Sequence, residues 1–181
     1  DFLAVGEGGK SGDAIALRFG SLLTDPPQQT VFIIDGGFKD SGQALVAHIR
    51  NYYRTNRVDV VVSTHPDSDH ASGIEVVLDQ MEVEHLMMHQ PWNHTEDISH
   101  LFEDSRVTDE GVKRALRESL EQARTIEGIA KRKKIRIIEP FLGVNGYNGV
   151  LLVLGPSQDF YKQLLPGYRG TPEPRRATSI L

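Results

Sequence analysis

The segment VVSTHPDSDHASG, residues 61–73, brings four metal-ligand side chains together directly after a run of β-branched residues. They are His65, Asp67, Asp69 and His70. Residues two apart in an extended turn point the same way, so His65 and Asp67 can share one ion. The adjoining Asp69 and His70 can share a second. Imidazole and carboxylate ligands suit Zn²⁺ or Mn²⁺, and Mn²⁺ tolerates more oxygen ligands.

The spacing alone leaves two interpretations of this loop open, a metal site and a structural turn that caps a helix. Two divalent ions about 3.5–4 Å apart can activate water and stabilise both oxygens of a displacement reaction. Asp and Ser are also turn-forming residues, and Asp69 can simply cap the helix that follows. The position of the loop after a buried strand favours chemistry, because α/β folds place functional groups there.

Alternating strand and helix patterns surround the loop and must position it. The predicted strands are residues 13–19, 30–37, 58–65, 83–89, 134–140 and 148–156. The predicted helices are residues 41–57, residues 72–80, a long helix from an N-cap at Thr108 to about Lys131, and residues 157–165. In the first of them, one face carries Leu45, Val46, Ile49 and Tyr53. This alternation predicts an α/β layered domain that includes the whole chain, residues 1–181.

Composition sets the bounds on function. The chain has 181 residues, 39% of them hydrophobic, and a formal net charge of −5, which argues against a protein that coats nucleic acid generally. It has no cysteine, so any metal must be held by His and carboxylate side chains. No apolar run approaches the roughly 20 residues that span a bilayer, and the first residues lack signal-peptide features. We expect a cytoplasmic domain without a membrane segment.

The segment STHPDSDHASG resembles the His-x-His-x-Asp-His signature of the metallo-β-lactamase superfamily, which also follows a buried strand and opens a helix. Asp67 stands where most members have His. This His-x-Asp-x-Asp-His form is similar to the metallo-hydrolase domain of ComEC-type DNA-uptake proteins. The opening FLAVGEG…GDAIALRF resembles that group's VGQGDA strand pair, and VFIIDGG matches the superfamily's first-motif Asp at Asp35. A weaker resemblance to the same group is found in two later segments, VLLVLGPS and ATSIL.

The resemblance implies a metallo-β-lactamase-like αββα sandwich and metal-dependent hydrolysis with one or two Zn²⁺ or Mn²⁺ ions. The metal ligands would be His65, Asp67, Asp69 and His70, with Asp69 also orienting or deprotonating the water. Asp35 would brace the loop by accepting backbone N–H bonds. The implied substrate is a phosphodiester, DNA or another nucleic acid. The alternatives are a lactonase- or thioesterase-type hydrolase, and a non-catalytic scaffold subunit with partner subunits in a larger complex.

Some expected superfamily features are missing from the sequence. Members normally add a later His, a bridging Asp in a Gly-Asp pair and often a final His. No Gly-Asp pair follows Leu151 and no His follows His100. The chain stops at Leu181, about where the second half of the sandwich should begin. We therefore expect residues 1–181 to be the N-terminal part of the domain, with the second half missing or beyond the chain end.

Several other features compete for a functional role. The segment AVGEGGKS, residues 4–11, fits a relaxed P-loop pattern with Lys10 and Ser11 in the phosphate-binding positions. A glycine-rich turn between strands is the favoured interpretation, because a P-loop must open a helix. Trp92 can stack on a substrate, although an aromatic side chain closing a core edge is commoner. Among the other histidines, His48 and His85 are expected to be structural, and His89, His94 and His100 are candidates to approach the metal site.

Overall fold

The structure, a computed structural model, describes residues 1–6, 11–21, 23–24 and 28–175. These residues form two compact units, Asp1–His89 with Gln122–Ile138 and Gln90–Glu121 with Glu139–Leu181. Lys10 of the P-loop hypothesis and the ATSIL motif, residues 177–181, lie outside the described residues. None of the helices in the described part of the chain is long and apolar enough to cross a membrane.

A five-stranded mixed sheet forms the framework of the first unit, with its strands arranged in chain order. The strands are β1 (Ala14–Ser21), β2 (Gln28–Gly36), β3 (Arg57–Val62), β4 (Glu82–Met87) and β5 (Arg136–Ile138). β1 is antiparallel to β2, and all later neighbours are parallel. The carboxyl ends of β2, β3, β4 and β5 therefore share one edge of the sheet, where the loop of residues 63–67 also lies. The predicted α/β fold class is confirmed.

Helices connect the parallel strands of the sheet along the chain, and one more follows β5. They are α1 (Lys39–His48), α2 (Ser68–Gln80), α3 (Asp109–Ser119), α4 (Glu121–Lys133) and α5 (Gln158–Leu164), and α1 continues into a π-helical turn, Ile49–Tyr53. The predicted apolar face of the first helix is confirmed, since Leu45, Val46, Ile49 and Tyr53 are all buried. α1 packs against α2, and both contact β2. Burial of this face, rather than helix propensity alone, holds α1 in place.

Glycines let α2 approach both the end of β2 and α1 at backbone distance. A Cβ atom at Gly73 would overlap the carbonyl oxygen of Gly36, and one at Gly42 would lie 2.5 Å from the carbonyl oxygen of Gly73. The Gly73 amide donates to the Gly37 carbonyl at 2.8 Å. No side chain fits between these backbones, so the first turns of α2 are fixed relative to the carboxyl end of β2.

The single long helix predicted from Thr108 to about Lys131 is wrong. The chain forms two helices, α3 and α4, which are separated at Leu120 with φ −104° and ψ 55°. The apolar stripe continues through the break, because Val112 and Leu116 are buried before it and Ile126 after it. Periodicity alone therefore could not reveal the interruption.

The predicted strands also differ in length from those in the structure. β3 ends at Val62, so residues 63–65, the last part of the predicted strand, belong instead to an irregular connection over residues 63–67. The predicted strand over residues 148–156 is reduced to β7 (Leu151–Leu152), which pairs with β6 (Asn145–Gly146). A left-handed turn at Asn148, with φ 56°, interrupts the apolar run before β7.

The second unit is organised by polar side chains that cap helices and fix loops. The Thr108 hydroxyl accepts a hydrogen bond from Gly111 N at 3.1 Å, which confirms the predicted N-cap. The Asp109 carboxylate accepts from the backbone amides of Asp97 and Ser99, each at 2.9 Å. Burial raises the pKa of Asp109, but these hydrogen bonds lower it, and the net shift is downward. Residues 97–99 are thereby fixed to the start of α3.

Replacing Gly73 by Ala tests the close approach of α2 to β2. We expect Gly73→Ala to lower the free energy of unfolding by about 2 kcal/mol or more, because the new methyl group overlaps Gly36. The matched control is Gly128→Ala in α4, where a Cβ atom meets nothing within 4 Å. This control should raise the free energy of unfolding by up to about 1 kcal/mol, because Ala is the better helix former. Urea unfolding measures both, and equal small effects would contradict the packing described.

Candidate metal centre

A buried carboxylate at the end of β2 joins the parts of the site. Asp35 has a left-handed backbone, with φ 54°, a conformation that Asp tolerates better than most residues. Its Oδ1 atom accepts from the Thr64 amide at 2.9 Å, and its Oδ2 atom accepts from the Thr64 hydroxyl at 2.5 Å. The same Oδ2 atom lies 3.1 Å from His70 Nδ1. Asp35 therefore ties the end of β2 to the connection after β3 and to the first turn of α2.

The two imidazoles of the motif are oriented by this network. The Thr64 hydroxyl lies 2.9 Å from His65 Nδ1. Because that hydroxyl donates its hydrogen to Asp35, it accepts the Nδ1 hydrogen of His65. His70 in turn directs its Nδ1 hydrogen at Asp35, so both rings keep an Nε2 lone pair for a ligand. The ring centroids of His65 and His70 are 3.9 Å apart.

Each imidazole has a carboxylate of the motif beside its Nε2 atom. The Oδ2 atom of Asp67 lies 3.7 Å from His65 Nε2, and the Oδ2 atom of Asp69 lies 3.8 Å from His70 Nε2. Asp67, rather than Asp69, occupies the N-cap position of α2, and its side chain makes no capping hydrogen bond. The Asp67 side chain is 74% exposed and that of Asp69 is 34% exposed. Neither carboxylate is hidden from a ligand at the mouth of the loop.

The spacing of these donor atoms fits a divalent ion. One donor atom from each of Asp35, His65 and His70 lies within 4.8 Å of the others, so these residues form a group that could hold a metal ion. Two ligands of one tetrahedral ion are about 3.4 Å apart, close to the distance in each His–Asp pair. The donors are nitrogen and oxygen only, as Zn²⁺ and Mn²⁺ both accept. The assignment of His65, Asp67, Asp69 and His70 as the ligand set stays a prediction.

Sequence reasoning missed two residues at this site, Thr64 and Asp13. Asp13 precedes β1, and its Oδ2 atom lies 3.6 Å from His70 Nδ1. Gly12 makes this approach possible, because a Cβ atom there would overlap the carbonyl group of Asp69. The available signals were the Gly-Asp-Ala segment that opens β1 and the hydroxyl residue immediately before His65.

Two of the remaining histidines, His48 and His94, have carboxylate partners away from the motif. His48 Nε2 lies 3.1 Å from Asp1 Oδ2, and burial lowers the pKa of His48. His94 Nε2 lies 2.8 Å from a Glu139 oxygen in the second unit, and His94 is buried. Trp92 is also buried, as expected for an aromatic side chain that closes a core edge. Among the described residues, the group around Asp35 includes no histidine other than His65 and His70.

Replacing Asp35 by Asn tests whether the buried carboxylate orients the two imidazoles. We expect Asp35→Asn to weaken Zn²⁺ binding by about 10- to 100-fold, as is usual when a carboxylate that orients ligating histidines is lost. Asn tolerates the left-handed backbone at this position, so circular dichroism should still show a folded chain. Isothermal titration with Zn²⁺ gives the affinity. The control is Asp79→Asn, whose carboxylate pairs with Arg132 on the surface at 3.3 Å. Equal affinities for the two variants would contradict the role assigned to Asp35.

Comparison with known proteins identifies the family. The family model described as the metallo-beta-lactamase superfamily matches residues 21–153, a span that contains Asp35, His65 and His70. No curated protein matches the chain. The match extends over most of the chain and agrees with the mixed sheet flanked by helices. The chain therefore belongs to the metallo-beta-lactamase superfamily, and this membership supports a metal-dependent hydrolase in general.

Proposed function

We propose that the chain carries the metal centre of a phosphodiesterase that acts on DNA or another nucleic acid. The observation that carries the proposal is the pairing of each imidazole Nε2 atom with one carboxylate, at 3.7 and 3.8 Å. We assign His65 and Asp67 to a first ion, and Asp69 and His70 to a second. The ions are of the Zn²⁺ or Mn²⁺ class.

We assign Asp35 a positioning role rather than a place in the ligand set. Its donor atom is close enough to both imidazoles to join them at an ion. Its carboxylate is buried, however, and already accepts hydrogen bonds from the Thr64 amide and hydroxyl. Ligating histidines usually donate their second ring N–H to such a carboxylate, which fixes the ring and makes it a better ligand.

The side chains of the site have different roles in the proposed hydrolysis. When bound, a divalent ion supplies Lewis acidity and makes water acidic near neutral pH. His65 and His70 present lone pairs whose direction is fixed by Thr64 and Asp35. Asp69, which is partly exposed, orients the attacking water or accepts its proton. Asp67 lies farther out at the mouth, where it makes the first site richer in oxygen than one built with a second imidazole.

The proposed substrate is inferred from Asp67, which stands where the usual superfamily motif has His. The form His-x-Asp-x-Asp-His resembles the metallo-hydrolase domain of ComEC-type DNA-uptake proteins, and an oxygen-rich site favours an ion that also accepts phosphate oxygens. The chain has a formal net charge of −5, so attraction of a polyanion to the site depends on the ions rather than on the protein's overall charge. A lactonase- or thioesterase-type hydrolase and a non-catalytic scaffold subunit are the competing outcomes of the test.

Replacing Asp69 by Asn tests the catalytic assignment. Asp69→Asn keeps the size of the side chain and deletes its charge, so the second ion is lost together with the several kcal/mol that such an ion supplies. We expect phosphodiesterase activity to fall at least about 100-fold. The melting temperature should hardly change, because the side chain is 34% exposed and does not cap α2. The assay is cleavage of linear single- and double-stranded DNA with added Mn²⁺ or Zn²⁺, in the full-length protein.

The matched variant is Asp67→His, which restores the commoner motif. It should retain activity or shift the metal preference from Mn²⁺ toward Zn²⁺, because an imidazole replaces an oxygen ligand. Full phosphodiesterase activity in Asp69→Asn would contradict the catalytic role assigned to Asp69. Hydrolysis of lactones or thioesters without cleavage of DNA would favour the other hydrolase class. Absence of both activity and bound metal in every protein would favour the scaffold alternative.

A further inference from the structure

The two His–Asp pairs of the metal loop differ in how far the protein encloses them. We call Asp69 and His70 the inner pair, and His65 and Asp67 the outer pair. In the inner pair the side chain of His70 is 15% exposed and that of Asp69 is 34% exposed. In the outer pair the corresponding values are 42% for His65 and 74% for Asp67. Side chains that are already confined lose less conformational freedom on binding, so burial favours the inner pair.

Backbone packing confines the inner pair from two directions. Both of its residues lie in the first turn of α2, which Gly73 brings against Gly36 at backbone distance. On the other side, a Cβ atom at Gly12 would lie 3.0 Å from the Cβ atom of Asp69. The outer pair lies instead in the irregular connection of residues 63–67. The inner pair is therefore attached to the more constrained backbone.

The groups behind the two imidazoles also differ in charge. His70 Nδ1 lies 3.1 Å from a carboxylate oxygen of Asp35 and 3.6 Å from one of Asp13. His65 Nδ1 instead lies 2.9 Å from the neutral hydroxyl group of Thr64. A carboxylate beside the second ring nitrogen makes an imidazole a better metal ligand, and two negative charges attract a cation more strongly than a hydroxyl group does. Charge therefore favours the inner pair as well.

Asp13 supplies part of this charge without a structural role elsewhere in the described chain. It precedes β1, where the register shifts between Ala14 and Ile15, and a bulge of this kind can aim a side chain at a site. The Asp13 side chain is 58% exposed, and among the described residues it pairs with His70 alone. Asp35, by contrast, is buried and also fixes the connection after β3. A substitution at Asp13 therefore changes the charge near His70 while the fold is retained.

We propose that Asp13 is a positioning residue that acts through His70 and makes the inner pair the tighter of two unequal metal sites. The first divalent ion then occupies Asp69 and His70, and the outer pair is filled only at a higher metal concentration. The amino end of α2 lies beside both pairs, so its helix dipole does not reverse this order. The inference rests on the proposed assignment of two ions. It adds that activity of the proposed hydrolase depends on the metal concentration that fills the outer pair.

Stepwise addition of Zn²⁺ to the metal-free, ¹⁵N-labelled chain shows which imidazole binds first. NMR follows the ring nitrogen signals, which spectra of His65→Gln and His70→Gln assign. We expect the Nε2 signal of His70 to change over the first equivalent of Zn²⁺ and that of His65 only over the second. Isothermal titration should give two dissociation constants at least about 10-fold apart. Neither measurement requires catalysis.

Substitutions of Asp13 test whether its charge contributes to the difference. Asp13→Asn should raise the first dissociation constant about 10-fold, as is usual when a carboxylate behind a ligating histidine is lost. Asp13→Glu, which restores the charge at an exposed position, should recover most of that loss. The matched control is Asp79→Asn, whose carboxylate pairs with Arg132 on the surface, and it should leave both constants unchanged. Asp67→Asn should raise only the second constant.

The order of binding separates this inference from the proposed function. Parallel changes of both imidazoles at every Zn²⁺ ratio, or a change of His65 before His70, would overturn the inference while the proposed metal centre stands. Equal constants for Asp13→Asn and Asp79→Asn would overturn it as well. Absence of bound metal and of any ring shift would overturn the proposed metal centre together with it. If circular dichroism shows that Asp13→Asn does not fold, the order of the ring shifts in the unaltered chain decides.

Discussion

The buried carboxylate of Asp35 is the constraint on which the rest of the site depends. It accepts hydrogen bonds from both polar groups of Thr64 and lies within hydrogen-bond distance of His70 Nδ1. Those partners come from the connection after β3 and the first turn of α2, which are far apart in sequence from the end of β2. An isolated buried carboxylate would be very unfavourable, so the network both stabilises Asp35 and orients two imidazoles. One interaction thereby links the fold to the candidate chemistry.

Close backbone packing makes that network possible. Gly73 brings α2 against the end of β2, and Gly12 brings the start of β1 against Asp69. The second contact also places Asp13 near His70, at 3.6 Å. Carboxylates are thus concentrated around two imidazoles at one edge of the sheet, where their mutual repulsion opposes folding in the absence of a cation. The ordered protein framework holds together carboxylates that would otherwise separate, a cost that functional sites commonly carry.

The sequence predicted the framework of the site better than its details. Runs of β-branched residues located the buried strands. The spacing along the motif paired His65 with Asp67 and Asp69 with His70, and these pairs do lie close together, but their assignment as metal ligands stays a prediction. The positions of Thr64 and Asp13 depend on how separate elements meet, which spacing along the chain does not encode. The break at Leu120 escaped prediction because the apolar stripe continues across it.

The number of divalent ions that the chain binds tests the central claim most directly. Purified wild-type chain should be dialysed to equilibrium against Mn²⁺ or Zn²⁺, and its bound metal measured beside a variant with both His65 and His70 changed to Ala. The account predicts one or two ions per wild-type chain and their loss in the variant, with the fold retained by circular dichroism. No bound ion in the wild-type chain at saturating metal, or equal binding by both proteins, would contradict it.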